Sequence, residues 1–188
     1  MLYFIDTEFI ENGDTIDLIS IGIVSEDGRA YYAINRNCDF GLADDWVKKN
    51  VIAHLPPVKS IDVFGNHLPH PDYKSKQTIR DEIVYFIGNE EIGWTDPTKD
   101  AGTKPEFWGY YSAYDHVALC QLFGTMMNLP KGWPMLTKDL QQLAESLGYK
   151  SIENLIPNEN EHHALADAKW AKQVWEYLTS KAGNAQSE

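Results

Sequence analysis

Leu2-Tyr3-Phe4-Ile5-Asp6-Thr7-Glu8, at the start of the chain, decides how the rest is read. Its first four residues are large and apolar, which reads as a buried strand. Ile16 to Val24 (Ile-Asp-Leu-Ile-Ser-Ile-Gly-Ile-Val) gives a second strand with partial alternation. Asp27-Gly28 is a hairpin turn signal, and Tyr31-Tyr32-Ala33-Ile34 gives a third strand. The opening is therefore a three-stranded antiparallel meander. Asp6 and Glu8 stand at the end of its first strand, where residues i and i+2 project from one face. Two like charges held that close are unfavourable unless one protonates or a cation joins them. Hard carboxylate oxygens suit Mg²⁺ or Mn²⁺. The spacing alone leaves a metal site and a solvated pair both open. Glu159 and Glu161 repeat it in a polar loop near Pro157. Only the strand context separates the two pairs.

Beyond Asp39 the pattern changes. Ala43 to His54 has helical spacing through Trp46, Val47 and Ile52. Pro56, Pro57, Pro69 and Pro71 make residues 55–74 a loop. Ser75 is the N-cap candidate of a helix to about Ile87, with Ile79, Ile83, Phe86 and Ile87 as its apolar stripe and Gly88 as its stop. Residues 93–106 are rich in breakers and read as a long surface loop. Phe107 to Tyr111 is a short aromatic strand, and Asp115 to Phe123 and Lys138 to Leu147 are short helices. A last helix runs from about Ala164 to Leu178. Strands first, then helices with one or two further strands, predict an α/β fold: a mixed β-sheet with a three-stranded antiparallel start, flanked by helices. No boundary is evident, so residues 1–181 read as one domain and 182–188 as a flexible tail.

The composition limits the function. A net charge of −12 argues against an extended basic surface that grips long duplex nucleic acid. It is compatible with a small site that handles a phosphate end through metal ions. Cys38 and Cys120 are too few and too far apart for a disulfide framework or a cysteine zinc site, and read as buried thiols of a cytoplasmic protein. The N-terminal run has no basic flank and is interrupted by acids, so it is not a signal peptide. No stretch reaches transmembrane length, and no membrane partner is expected.

Two further motifs carry candidate chemistry. In His162-His163-Ala164-Leu165-Ala166-Asp167-Ala168, the pair His162 and Asp167 runs directly into an amphipathic helix with Leu165, Ala168, Ala171, Trp175 and Leu178 on one face. Asp167 then lies in the first turn, and the preceding loop can fold the His162 imidazole over it. His67 and Asp72 have the same spacing but are interrupted by Pro69 and Pro71. Taken singly, His162 is also explained by capping or surface exposure. In Trp108-Gly109-Tyr110-Tyr111-Ser112-Ala113-Tyr114-Asp115, a strand ends and Asp115 opens a helix. An acid there is explained, on its own, by the helix dipole.

Together the three elements resemble the DEDDh group of the DnaQ-like 3′–5′ exonucleases. The shared features are Asp-x-Glu on the first strand, an Asp opening a middle helix, and His162, Ala164, Asp167 and Ala168 in the form His-x-Ala-x-x-Asp-Ala. The start, Asp-Thr-Glu-Phe-Ile-Glu followed by Asp-Leu-Ile-Ser-Ile-Gly, is similar to the RNase AS-like exoribonucleases, which prefer adenylate. Many members carry an Asn three residues before the middle Asp, where this chain has Ser112.

The resemblance implies an RNase H-like fold and two divalent ions, Mg²⁺ or Mn²⁺, held by Asp6, Glu8, Asp115 and Asp167. It implies that Asp6 bridges both ions and that Asp115 acts on the second. His162 is implied as the general base, since a histidine pKa near 6.5 suits that task. The implied reaction removes nucleoside 5′-monophosphates from the 3′ ends of single-stranded RNA. Phe9 stacks on the terminal base or continues the core, and Tyr114 is a second stacking candidate. A homodimer is also implied. The alternatives are a DNA exonuclease, a catalytically silent binding domain on the same fold, and a nucleotide phosphoesterase.

Overall fold

The computed structural model describes residues 1–61, 67–88, 104–153, 155–158 and 161–185. The meander is present: β1 (Leu2–Glu11), β2 (Ile16–Ser25) and β3 (Ala30–Asn35) pair antiparallel in sequence order. Gly28, at φ 91°, makes the predicted turn between β2 and β3. A short ladder joins β4 (Lys59–Ile61) and β5 (His67–Pro69). β6 (Tyr73–Lys74), β7 (Glu106–Gly109) and β8 (Lys138–Asp139) join the main sheet in parallel, giving the order β6-β3-β2-β1-β7-β8 with β6 and β8 at its edges. The helices are α1 (Asp45–Asn50), α2 (Lys76–Gly88), α3 (Ala113–Leu122), α4 (Leu140–Ser146) and α5 (Ala164–Ala185).

Alternation along β1 builds two cores. Tyr3 and Ile5 pack with Ile79, Ile83 and Ile87 of α2 and with Ala118, Leu119 and Leu122 of α3. Phe4 points to the other face, among Trp170, Ala171, Val174 and Leu178 of α5 and Leu140 and Ala144 of α4. The period of 2 in the strand and of 3.6 in the helices thus yields a sheet covered on both faces. This is the mixed, RNase H-like α/β arrangement expected from the sequence. Among the described residues, no helix is long and apolar enough to cross a membrane.

Several boundaries differ from the sequence reading. β1 does not end at Ile5 but runs through Asp6 and Glu8 to Glu11, because the β2 ladder continues beneath the acids. The helix expected over residues 43–54 divides into α1, capped by Asp44, and a separate single turn at Ile52–His54. The stretch 55–74 holds β4, β5 and β6 as well as loop. The strand expected to reach Tyr111 stops at Gly109, and Tyr111 itself has φ 50°. The first two residues of the helix expected from Lys138 form β8, and Asp139 caps α4 by accepting from the Gln141 and Gln142 amides. The Ser75 cap forms: its Oγ accepts from the Thr78 N–H. The last helix extends to Ala185, and residues 186–188 lie outside the described residues. So does most of the 93–106 loop.

Candidate active site

The site begins at one glycine. Gly22 on β2 is the ladder partner of Asp6 on β1. A Cβ on Gly22 would sit 2.3 Å from the Ala164 carbonyl oxygen, so only glycine lets the first turn of α5 come down onto the sheet. Asp6 and Glu8 follow Phe4 at the even positions of β1 and face α5. The close approach therefore carries Asp167 to them. One carboxylate oxygen from each of Asp6, Glu8 and Asp167 lies within 4.8 Å of the others. Asp167 is oriented by the His163 backbone N–H at 3.1 Å and by the Asn158 side-chain amide.

Asp115 arrives from the opposite face. Thr7 lies between the two acids in sequence but points the other way, toward α3. Its N–H and its hydroxyl both donate to one Asp115 oxygen, at 2.9 and 2.6 Å. Asp115 is 5% exposed and lines the same cleft as the other three acids. Behind it, Asp139 accepts from the Ser112 N–H at 3.0 Å. Ser112 is buried against Gly109, where a Cβ would meet its own Cβ at 2.7 Å. The departure at Ser112 therefore falls on the backbone support of the middle acid.

Burial and mutual repulsion hold protons on this cluster. Burial, then the charges of Asp115, Asp167 and Glu8, pushes the Asp6 carboxyl well above its usual range. Glu8 is pushed up to about 8 by burial and by Asp167 and Asp115. Asp115 is pushed up to about 7 by burial, against the opposing Thr7 hydrogen bonds. Burial raises Asp167 as well, against the hydrogen bonds from Asn158 and His163. Among the described residues that line the cleft there is no lysine or arginine to offset these charges. Hard oxygen donors, raised carboxyls and the lack of lysine and arginine among the described lining residues together fit a divalent cation.

His162 lines the cleft with its side chain partly exposed. It has φ 68°, in the left-handed region, and its ring stands edge-on to Trp46 of α1 at 4.8 Å between centroids. Its Nε2 lies 4.0 Å from a Glu161 oxygen. A non-glycine residue at positive φ is costly and collects at functional sites. His163, next to it, stacks on Tyr32 at 4.7 Å instead. Phe9 and Tyr114 also line the cleft and meet edge-to-face at 5.6 Å. The cleft has a volume of about 600 Å³. Of the look-alike spacings, Glu159 and the His67 side chain lie outside the described residues.

Sequence reasoning singled out seven of the residues in this cleft and missed others. Asn158 in the lining, and Trp46 and Asp139 behind it, carry no signal at a spacing that links them to the acids. Gly22 did carry one: a lone glycine inside an apolar strand marks a close backbone approach.

A family model described as the 3′-5′ exoribonuclease Rv2179c-like domain matches residues 60–179, a span that contains Asp115, His162 and Asp167. Two curated relatives are the 3′-5′ exoribonucleases Rv2179c and MT2234.1, from Mycobacterium tuberculosis strains ATCC 25618 / H37Rv and CDC 1551 / Oshkosh. Each is 40% identical over 181 residues, covering 96% of this chain and 94% of the relative.

Proposed function

The chain belongs to the Rv2179c-like 3′–5′ exoribonuclease family, and on that premise we propose that it is a metal-dependent 3′–5′ exoribonuclease of the DEDDh type. Its substrate is the 3′ end of single-stranded RNA, which it hydrolyses to nucleoside 5′-monophosphates. The observation that carries this reading is the meeting of Asp6, Glu8 and Asp167 within 4.8 Å, from a strand and a helix far apart in sequence.

Asp6, Glu8, Asp115 and Asp167 would hold two Mg²⁺ or Mn²⁺ ions. Such a pair supplies charge stabilisation to the entering and leaving oxygens of an in-line displacement at phosphorus. His162, in the cleft lining, takes the proton from the attacking water. Its left-handed backbone and its packing against the Trp46 ring hold the imidazole in the cleft lining. Thr7 fixes Asp115 so that it does not swing toward solvent. Phe9 and Tyr114 stack on the terminal base, which requires an unpaired end. Adenylate preference, a homodimeric assembly and a cytoplasmic location complete the proposal, in line with the RNase AS-like character of the N-terminal motif.

The test uses one RNA sequence in linear and covalently closed circular form, incubated with Mg²⁺ or Mn²⁺. The linear form should be consumed and the circle should persist, and Asp6→Ala should spare both. Loss of the circle at a comparable rate would sink the exonuclease reading.

A further inference from the structure

Aromatic rings line the cleft on two sides, and the terminal-base stack proposed above uses only one of them. Phe9 lies at an odd position of β1, on the α3 side with Thr7, and Tyr114 stands on α3 itself. The second wall comes from the α5 side. Tyr110 packs against Trp170 of α5 at 5.3 Å and against Tyr111 at 4.3 Å, with rings tilted by 38°. Tyr110 is anchored further by its hydroxyl, which donates to Glu153 at 3.0 Å. These rings line the same cleft as the four carboxylates, of which Asp6 and Glu8 face α5 while Thr7 ties Asp115 to the α3 side.

Tyr111 is the unusual member of the second wall. It is 65% exposed although it is a large aromatic residue, and its backbone is at φ 50°. A tyrosine gains nothing for the core in that position. The turn after β7 holds one ring face beside Tyr110 and leaves the ring accessible in the cleft. At about 600 Å³ the cleft falls within the roughly 300–1,000 Å³ that encloses drug-sized ligands, which is more than one base requires.

We propose that Tyr111, backed by Tyr110 and Trp170, is the stacking platform for the penultimate nucleobase. The enzyme then grips the two nucleosides that flank the scissile phosphate on opposite walls. This rests on the exoribonuclease reading above and adds the residue that recognises the leaving nucleoside. It makes the site selective for substrates with a base on both sides of the cut. Stacking tolerates any base, because each has a π-face.

The test compares two substrates with the same terminal nucleotide. One is the adenylate trimer, read at its first cleavage. The other is the p-nitrophenyl ester of adenosine 5′-phosphate, whose leaving group is not a nucleoside. The quantity read is the ratio of kcat/KM for the trimer to that for the ester, so any general loss of folded or active enzyme cancels. Tyr111→Ala should lower this ratio roughly tenfold, in keeping with the loss of one base stack. Tyr111→Phe should restore it, and Phe9→Ala should lower both rates with the ratio kept. An unchanged ratio in Tyr111→Ala, or a ratio that falls as far in Phe9→Ala as in Tyr111→Ala, overturns the proposal. Wild-type protein that cleaves neither substrate would instead overturn the exoribonuclease reading beneath it.

Discussion

Replacing Glu8 by glutamine in the metal-free protein should flatten the dependence of its stability on pH. Unfolded, this carboxyl titrates at its ordinary value of 4.5; folded, burial and its acidic neighbours hold the proton on to about 8. Between these values the unfolded state releases a proton that the folded state keeps. The folded state therefore binds more protons, and stability falls as pH rises. Over pH 5 to 8 the linkage from Glu8 alone amounts to about 3 kcal/mol. Asp6, Asp115 and Asp167 are raised too and decline in the same direction. Wild-type protein in a chelator should thus lose stability steadily across this window, read by urea unfolding at closely spaced pH values. Glu8→Gln should lose distinctly less, because it removes one titrating group and one repelling charge. Saturating Mg²⁺ should abolish most of the wild-type decline and do little for the variant. A chelated variant that declines as steeply as wild type would refute the electrostatic account of the cluster.

His162→Ala should lower kcat by roughly two to four orders of magnitude, with the melting temperature and metal titration kept; near-normal turnover would remove the histidine from the chemistry. Gly22→Ala forces a Cβ against the Ala164 carbonyl, so it should cost about 1–3 kcal/mol in thermal unfolding and weaken metal binding by calorimetry; unchanged metal affinity would show that α5 is not set by this approach. Thr7→Val removes the 2.6 Å hydroxyl donor to Asp115, for a loss of about 1.5–3 kcal/mol in denaturant unfolding, and should raise the metal concentration needed for half-maximal activity. An unaltered metal requirement there would mean that Asp115 needs no such tether.

The fold was legible where side-chain period and burial agree. Tyr3, Phe4 and Ile5 could be read as a buried strand, and Ile79, Ile83 and Ile87 as a helix stripe, because each pattern matches one geometry. The end of β1 was misjudged because Asp6 and Glu8 look like a strand terminus. Charged residues inside a buried strand make sense only once α5 is seen to face them. The edge strands β6 and β8, of two residues each, are too short to leave a period. In the site, Asp6, Glu8 and Asp167 could be singled out because each pair sits on, or opens, a regular element. Asp115 could not be placed from its own surroundings. Its tie to Thr7 spans 108 positions and rests on a threonine facing away from the acids beside it. Asn158 and Trp46 reach the site through loop geometry and a short helix, which local pattern does not encode.

The central claim is that a carboxylate metal centre removes nucleotides singly from an RNA 3′ end. Digestion of a 5′-labelled single-stranded RNA in Mg²⁺ or Mn²⁺, with the released product identified by mass, tests it most directly. The expected result is a ladder that shortens one nucleotide at a time from the 3′ end, nucleoside 5′-monophosphates as product, and no ladder in chelator or with Asp6→Ala. Internal cuts, 3′-phosphorylated products or full activity in chelator would contradict it.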